Sequence, residues 1–376
     1  VQDGPVIPLG RVLAVAVAVL TLAPSASAQS LSDTADALRL GFPDVRLQVN
    51  GLWWFAEDRP VLRRLPERLK ETFRAPVWDL AQQPSGGRIR FRTDSTRLAI
   101  TAHNPDTATM HHMTTIGQSG LDLYVDGEYR NSAWPDARAQ IVREWSLGEG
   151  HRMREVTIYL PLYKGVTVQS LSFDPGSEIG SASSFAVSRP VVFYGSSITQ
   201  GGCAENPGLS YEAIVARRLN VDFVNLGFSG SGLGEPAVAR AVAEIDASAF
   251  VLDYWANPSP EVYRDTLPGF VEILRAGHPR TPILLTGPYW FSGEASSASL
   301  REQQEEKRRI AREFVASRRA HGDRAIHFVD GLEMLSRSQA SGLVDGVHAN
   351  SLGFEYCARG LEPHLRKVLK LPAAKR

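Results

Sequence analysis

Two short stretches hold residues whose types and spacing suit nucleophilic catalysis. In Val191-Val192-Phe193-Tyr194-Gly195-Ser196-Ser197-Ile198-Thr199-Gln200-Gly201-Gly202 an apolar run stops at Gly and Ser, the pattern of a buried parallel strand whose hydroxyls emerge where the chain leaves the sheet. Ser197 then sits at the carboxyl end of that strand, the edge where loops converge over ligands in open α/β sheets. Far along the chain, Asp345-Gly346-Val347-His348 precedes the last helical segment. This spacing lets one tight turn aim the Asp345 carboxylate at Nδ1 of His348, leaving Nε2 to take a proton from the Ser197 hydroxyl. Each stretch taken alone also describes an ordinary structure: a strand-to-loop turn, or a surface Asp-Gly turn with an incidental histidine.

An acyl transfer also needs donors for a developing oxyanion. Asn225-Leu226-Gly227-Phe228-Ser229-Gly230-Ser231-Gly232 is a Gly/Ser-rich strand exit suited to presenting the N–H of Gly230, and Trp255-Ala256-Asn257 ends a third strand, where the Asn257 amide can donate. With the N–H of Ser197 these would form an oxyanion hole. Pro258 biases Asn257 towards extended backbone, which alters the aim of its amide. Tyr254, Trp255, Tyr289, Trp290 and Phe291 cluster at two strand exits. Of these, Trp255, Tyr289 and Trp290 are candidates to stack on a sugar ring or acyl chain, with core packing as the alternative.

Positioning these residues requires two kinds of domain. From residue 29 to 173 the chain is β-rich: Gly87 to Thr93 alternates arginines with Ile89 and Phe91, predicting a strand with one wet face. Gly120 to Val125 alternates again and ends at Asp126-Gly127, a hairpin signal, and Val156, Ile158, Leu160 and Leu162 repeat the period. Several such strands predict a small β-sandwich. Residues 174–189, rich in Gly, Ser and Ala without a period, read as a linker. From residue 190 to 376 apolar strands alternate with helical patterns, which predicts an α/β domain with a parallel sheet and helices on both faces. Ser259-Pro260 and Asn350-Ser351 mark two helix starts.

The chain of 376 residues has 41 Lys+Arg against 41 Asp+Glu, so it carries no electrostatic footprint for nucleic acid or an anionic membrane. Arg11, the apolar run Val12 to Leu22, Pro24 and Ala26-Ser27-Ala28 read as a secretory signal over residues 1–28, too short to span a bilayer, and predict export to the periplasm or beyond. Cys203 and Cys357 are too few for a disulfide framework; an exported protein can pair them, and two free buried thiols are the equal alternative. No second Cys or His lies at ligand spacing from them, so no metal is expected. Adjacent His111-His112 suggests a metal or an additional substrate contact, but neighbouring residues of a strand point to opposite faces, so a surface loop is the favoured reading.

Together the four blocks, in this order and each at a strand exit, resemble the SGNH/GDSL hydrolase superfamily: Gly195-x-Ser197, Gly230, Asn257 and Asp345-x-x-His348. The front half resembles the GxDLY domain that precedes some of these hydrolases, through Gly120-Leu121-Asp122-Leu123-Tyr124. Ser196 occupies the place of the Asp in GDSL, Trp255 stands where many relatives have Gly, and Pro258 where many have Asp. The resemblance implies a flavodoxin-like sheet and ester hydrolysis by Ser197, His348 and Asp345, with Gly230 and Asn257 as oxyanion donors and no cofactor. It points to an O-acyl, above all O-acetyl, ester on carbohydrate. A lipid or thioester acylhydrolase and a sugar-binding protein without turnover are the alternatives.

Overall fold

The computed structural model describes residues 30–31, 34–105 and 110–373, and the expected leader, residues 1–28, lies outside the described residues. The front half contains strands β1 (Leu38–Gly41), β2 (Gln48–Asn50), β3 (Arg88–Thr93), β4 (Arg97–His103), β5 (Leu121–Val125), β6 (Glu128–Ala133), β7 (Gln140–Ser146), β8 (Arg154–Tyr159), β9 (Thr167–Phe173) and β10 (Ile179–Gly180). Short helices α1 (Phe55–Asp58), α2 (Ala75–Ala81) and α3 (Thr115–Ser119) interrupt them. One sheet runs β1-β9-β4-β7; the other runs β10-β3-β8-β5-β6, with β2 beside β3. Their apolar faces meet in a core that holds Leu98 and Ile100 of β4, Ile89 and Phe91 of β3, and Val156 and Ile158 of β8. Asp126 and Gly127 turn the β5–β6 hairpin at φ of 53° and 82°, as a two-residue turn of matching twist requires.

The second half contains β11 (Val191–Gly195), β12 (Phe223–Gly227), β13 (Ala249–Asp253), β14 (Ile283–Thr286) and β15 (Ile326–Val329), all parallel, in the order β12-β11-β13-β14-β15. Within this domain that is the flavodoxin-like order 2-1-3-4-5. Every residue of β11 to β14 is buried, which explains their unbroken apolar sequences: helices must cover both faces. The helices are α4 (Ser197–Gln200), α5 (Tyr211–Leu219), α6 (Pro236–Ala243), α7 (Pro260–Gly277), α8 (Ala298–Ala320), α9 (Gly331–Met334) and α10 (Ser351–Val368). α5 packs on α10, and α6, α7 and α8 pack in series. The Ser259 hydroxyl accepts the Val262 N–H at 3.3 Å to start α7, and Asn350 caps α10 through the Gly353 N–H at 2.9 Å. Among the described residues no helix is long and apolar enough to cross a membrane.

The two domains share one apolar cluster: Trp54, Leu65, Phe73, Val77, Leu162 and Tyr163 of the front half pack with the α/β core. This overturns the expected wet face of β3 at Arg88 and Arg90, while Arg92 is exposed as expected. Arg88 and Arg90 are only 3% and 6% exposed, because that face turns towards the second domain and the incoming chain rather than water. Arg88 pairs with Asp222 and stacks over Phe223, while Arg90 pairs with Glu155 at 2.8 Å and lies over Phe185. The expected linker is also pinned. Ile179–Gly180 pairs with β3, the Ser183 N–H donates to Glu155 at 2.9 Å, and the Ala186 N–H donates to the Asn220 carbonyl at 2.7 Å.

Glycines allow the closest approaches at the seam. A Cβ on Gly86 would lie 2.7 Å from Cβ of Asn225, one on Gly117 2.1 Å from the Ala204 carbonyl oxygen, and one on Gly208 2.6 Å from the Tyr124 ring. The Asp122 carboxylate of β5, fully buried, accepts the Gly208 N–H at 2.8 Å and the Asn206 amide at 3.2 Å across the same seam. The Gly-Leu-Asp-Leu-Tyr sequence thus clamps the stretch that follows Ser197.

Candidate active site

Sheet register brings three strand exits together. Gly195 of β11 pairs with Gly227 of β12 on one side and Asp253 of β13 on the other, so the turn carrying Ser197 is flanked by the turns carrying Gly230 and Asn257. The fit leaves no room for side chains: a Cβ on Gly195 would meet Oγ1 of Thr199 at 1.9 Å, and one on Gly227 the Gln200 nitrogen at 2.2 Å. Ser196 caps α4 through the Ile198 N–H at 3.2 Å, which leaves Ser197 as the first helical residue.

Opposite Ser197, the chain folds back between Leu343 and Ala349, where the Val344 N–H donates to the His348 carbonyl at 2.8 Å. Gly346 takes φ of 86° at the tip, a left-handed position suited to glycine. One Asp345 oxygen accepts the N–H groups of Val347 (3.0 Å) and His348 (2.8 Å), and the other lies 2.7 Å from Nδ1 of His348. Burial pulls the Asp345 carboxyl upward, but these donors and the imidazole outweigh it and hold it down at about 2. Nδ1–H is thereby committed to Asp345, and Nε2 stands 2.9 Å from Oγ of Ser197. Ser197 is buried, at 8% exposed.

Gly230 lies in the exposed turn at φ of 65° with open space around its α-carbon, and its N–H donates to no described atom. The N–H of Ser197 is likewise unspent. Oδ1 of Asn257 accepts the Gly232 N–H at 3.0 Å, which orients the amide and leaves Nδ2 as its donor.

The aromatic candidates lie elsewhere than expected. Trp255 and Tyr289 are each about 1% exposed and are not at a pocket mouth. The Trp255 indole donates to Asp253 at 2.7 Å, and the Tyr289 hydroxyl donates to the Val347 carbonyl at 2.7 Å, steadying the His348 turn from behind. Tyr254 and Phe291 are buried too, and only Trp290 is half-buried. Aromatic side chains at strand ends were needed inside the fold to hold the loops, which outweighs presenting them to a ligand.

Several positioning residues had no sequence signal. Asp253 is fully buried and collects Trp255, Tyr211 (2.8 Å), Thr199 (3.2 Å) and Thr286, tying α4 to the sheet; burial pushes its carboxyl upward against those donors. Glu205 accepts the Ser351 N–H at 2.7 Å while its own N–H donates to the Ser351 hydroxyl at 3.2 Å, joining the Ser197 loop to the helix after His348. From the sandwich side, Tyr163 donates to the Ser197 carbonyl at 3.3 Å and Ser85 to the Gln200 carbonyl at 2.7 Å. Buried Arg64 donates to the carbonyls of Gln83, Leu80 and Gly227 and lies 4.7 Å over the Phe228 ring, bracing the turn that leads to Gly230. These links join positions far apart in the chain and are invisible to local spacing.

The remaining candidates follow one of the expected alternatives each. Cys203 and Cys357 are both free and buried. His112 of the sandwich domain stands exposed beside the site, its ring centroid 5.6 Å from that of His348.

Residues 188–366 match the GDSL-like lipase/acylhydrolase family, and residues 41–179 match the GxDLY domain, described as the N-terminus of SGNH-hydrolase-type esterases. Among solved structures, a GDSL-like lipase from Bacteroides ovatus superposes with a TM-score of 0.81 at 28% identity, covering 90% of this chain and 100% of that one. The salicylyl-acyltransferase SsfX3 of a tetracycline biosynthetic pathway follows with 0.77 at 22%, covering 91% and 100%. A family two carbohydrate esterase from Cellvibrio japonicus shares the fold with 0.60 at 16%, covering 89% and 98%. An acetyl xylan esterase from Butyrivibrio proteoclasticus shares it with 0.59 at 13%, covering 89% and 99%. No protein of curated function matches the chain in sequence.

Proposed function

Since the chain belongs to the SGNH/GDSL hydrolases that carry a GxDLY N-terminal domain, we propose that it is an exported serine esterase removing O-acyl groups, acetyl above all, from carbohydrate. The observation that carries the esterase chemistry is the run Ser197 Oγ, His348 Nε2, His348 Nδ1, Asp345 Oδ2, with separations of 2.9 Å and 2.7 Å, beside three unspent N–H donors. His348 takes the Ser197 proton as Oγ attacks the ester carbonyl. The tetrahedral oxyanion is held by the N–H groups of Ser197 and Gly230 and by Nδ2 of Asn257. His348 then gives its proton to the leaving alcohol as the C–O bond breaks. Water, deprotonated by the same Nε2, attacks the acyl-enzyme, and the free acid leaves with Ser197 reprotonated. Asp345 keeps the imidazole in the tautomer with a free Nε2 and offsets the charge of the imidazolium.

The carbohydrate reading is supported by carbohydrate esterases that share the fold and by the apolar leader-like residues 12–22. The test is acyl release by the purified protein, wild type beside Ser197→Ala, from acetylated xylan and from aryl esters of increasing chain length. Acetate release that vanishes in the variant, with rates collapsing beyond short chains, is the expected result. A preference for long chains would reassign the substrate to lipid, and glycan binding without any release would make it a binding protein.

A further inference from the structure

Sequence spacing offers Cys203 no partner for a metal, yet the fold supplies two. One possible ligand atom from each of His112, Cys203 and His348 lies within 4.8 Å of the other two. The three come from separate places: a loop of the sandwich domain, the turn after α4, and the turn before α10. We infer that His112, Cys203 and His348 form a binding site for a divalent cation that prefers imidazole and thiolate, Zn2+ foremost, and that its occupation switches off hydrolysis.

The chemistry of the donor set selects the ion. Two imidazoles and a sulfur suit zinc, whereas magnesium and calcium require oxygen ligands. Tetrahedral bonds of about 2.0–2.3 Å put ligand atoms roughly 3.3–3.8 Å apart, so side-chain adjustments of about an ångström close the site. His348 is already arranged as metal-binding histidines are: its Nδ1 is given to the Asp345 carboxylate at 2.7 Å, which strengthens Nε2 as a ligand, and an incoming cation competes for Nε2 with the Ser197 hydroxyl at 2.9 Å. The carboxylates of Asp345 and Glu205 make the surroundings of Cys203 negative. The same negative surroundings favour a dication, whose binding displaces the thiol proton to solvent. The half-buried His348 and exposed His112 give the ion a way in.

The consequence for turnover follows from Nε2. It has one lone pair, and a cation that takes it removes the acceptor for the Ser197 proton. The arrest of hydrolysis rests on the proposed esterase mechanism; binding of the ion does not.

Zinc binding to the chelator-treated full chain is measured by calorimetry, and Co2+ is used as a spectroscopic stand-in. Inhibition by Zn2+ is followed with an aryl acetate, each protein normalised to its own zinc-free rate. Wild type should bind one Zn2+, give a thiolate-to-cobalt charge-transfer band, and recover its rate when chelator is added. His112→Ala and Cys203→Ser should each weaken zinc binding and raise the inhibitory concentration by at least about tenfold, since losing even an outer partner of a metal ligand costs about ten- to a hundredfold. Cys203→Ser should also abolish the charge-transfer band. Equal zinc affinity in wild type and both variants, or no thiolate band, overturns the inference. If no ester is turned over, calorimetry and the cobalt spectrum still decide the site, so failure of the esterase reading is told apart from failure of this one.

Discussion

At the scale of the residue, Ser197 and Asp345 carry unequal burdens. Ser197→Ala removes the nucleophile and should lower kcat by about four orders of magnitude or more while leaving the thermal midpoint nearly unchanged. Asp345→Asn should be milder, because Tyr289, through the Val347 carbonyl, still holds the turn that carries His348. A loss equal to that of Ser197→Ala, measured side by side, would make the carboxylate indispensable. The carboxyl held at about 2 also has a sign. Its folded value lies below the unfolded value of 3.8, so its contribution to stability is complete above about pH 4 and is lost as pH falls towards 2. An acid-side fall in esterase rate above about pH 4 is therefore distinct from the loss of this carboxylate. Comparing urea stability with kcat at each pH separates the two: stability near Asp345 should stay flat where the rate already drops.

At the scale of the element, Arg64 is the most consequential residue outside the site. Its guanidinium, pushed down to about 9 by full burial, bridges two carbonyls of the sandwich side and that of Gly227 at the end of β12. Lysine has no planar fork to replace three directed N–H bonds. Arg64→Lys should lower stability in urea unfolding by about 1–3 kcal/mol for each buried carbonyl left without its donor. In the protein that remains folded, kcat should fall more than KM changes, because the turn presenting Gly230 loses its brace. Unchanged kcat would limit Arg64 to stability. These elements also mark how far the sequence could be read. The approach of Ser197, His348 and Asp345 was legible because each sits at a strand exit or within one turn, where local spacing dictates geometry, and the turns of Gly230 and Asn257 were legible as neighbouring strand exits. Trp255 and Tyr289 misled because an aromatic residue at a strand end serves equally well inside the fold. Arg88 and Arg90 alternate as a solvent-facing row does, and only the second domain reveals that the row faces protein. His112, Glu205 and Arg64 act through contacts made only in the folded chain.

At the scale of the whole molecule, the two domains should unfold as one. Trp54, Leu65, Phe73, Leu162 and Tyr163 lie in the same apolar cluster as the α/β sheet, so separating the domains exposes a core rather than a surface. Calorimetry should record a single transition whose calorimetric and van 't Hoff enthalpies agree, and two resolved transitions would show that the seam is weaker than its packing implies. The glycines at that seam carry a consequence for how such a protein can change. Gly86, Gly117 and Gly208 bring backbone and ring so close that a single added methyl on any of them collides with the other domain or, at Gly208, with Tyr124. Complementarity at that distance is private to the pair. A sandwich grafted from a cousin, however similar its strands, meets the wrong backbone at three places and drags the nucleophile loop with it. Chimeras cut near residues 180–190 should therefore fail where point variants at the rim succeed, and new specificities should arise in lineages that keep both halves together.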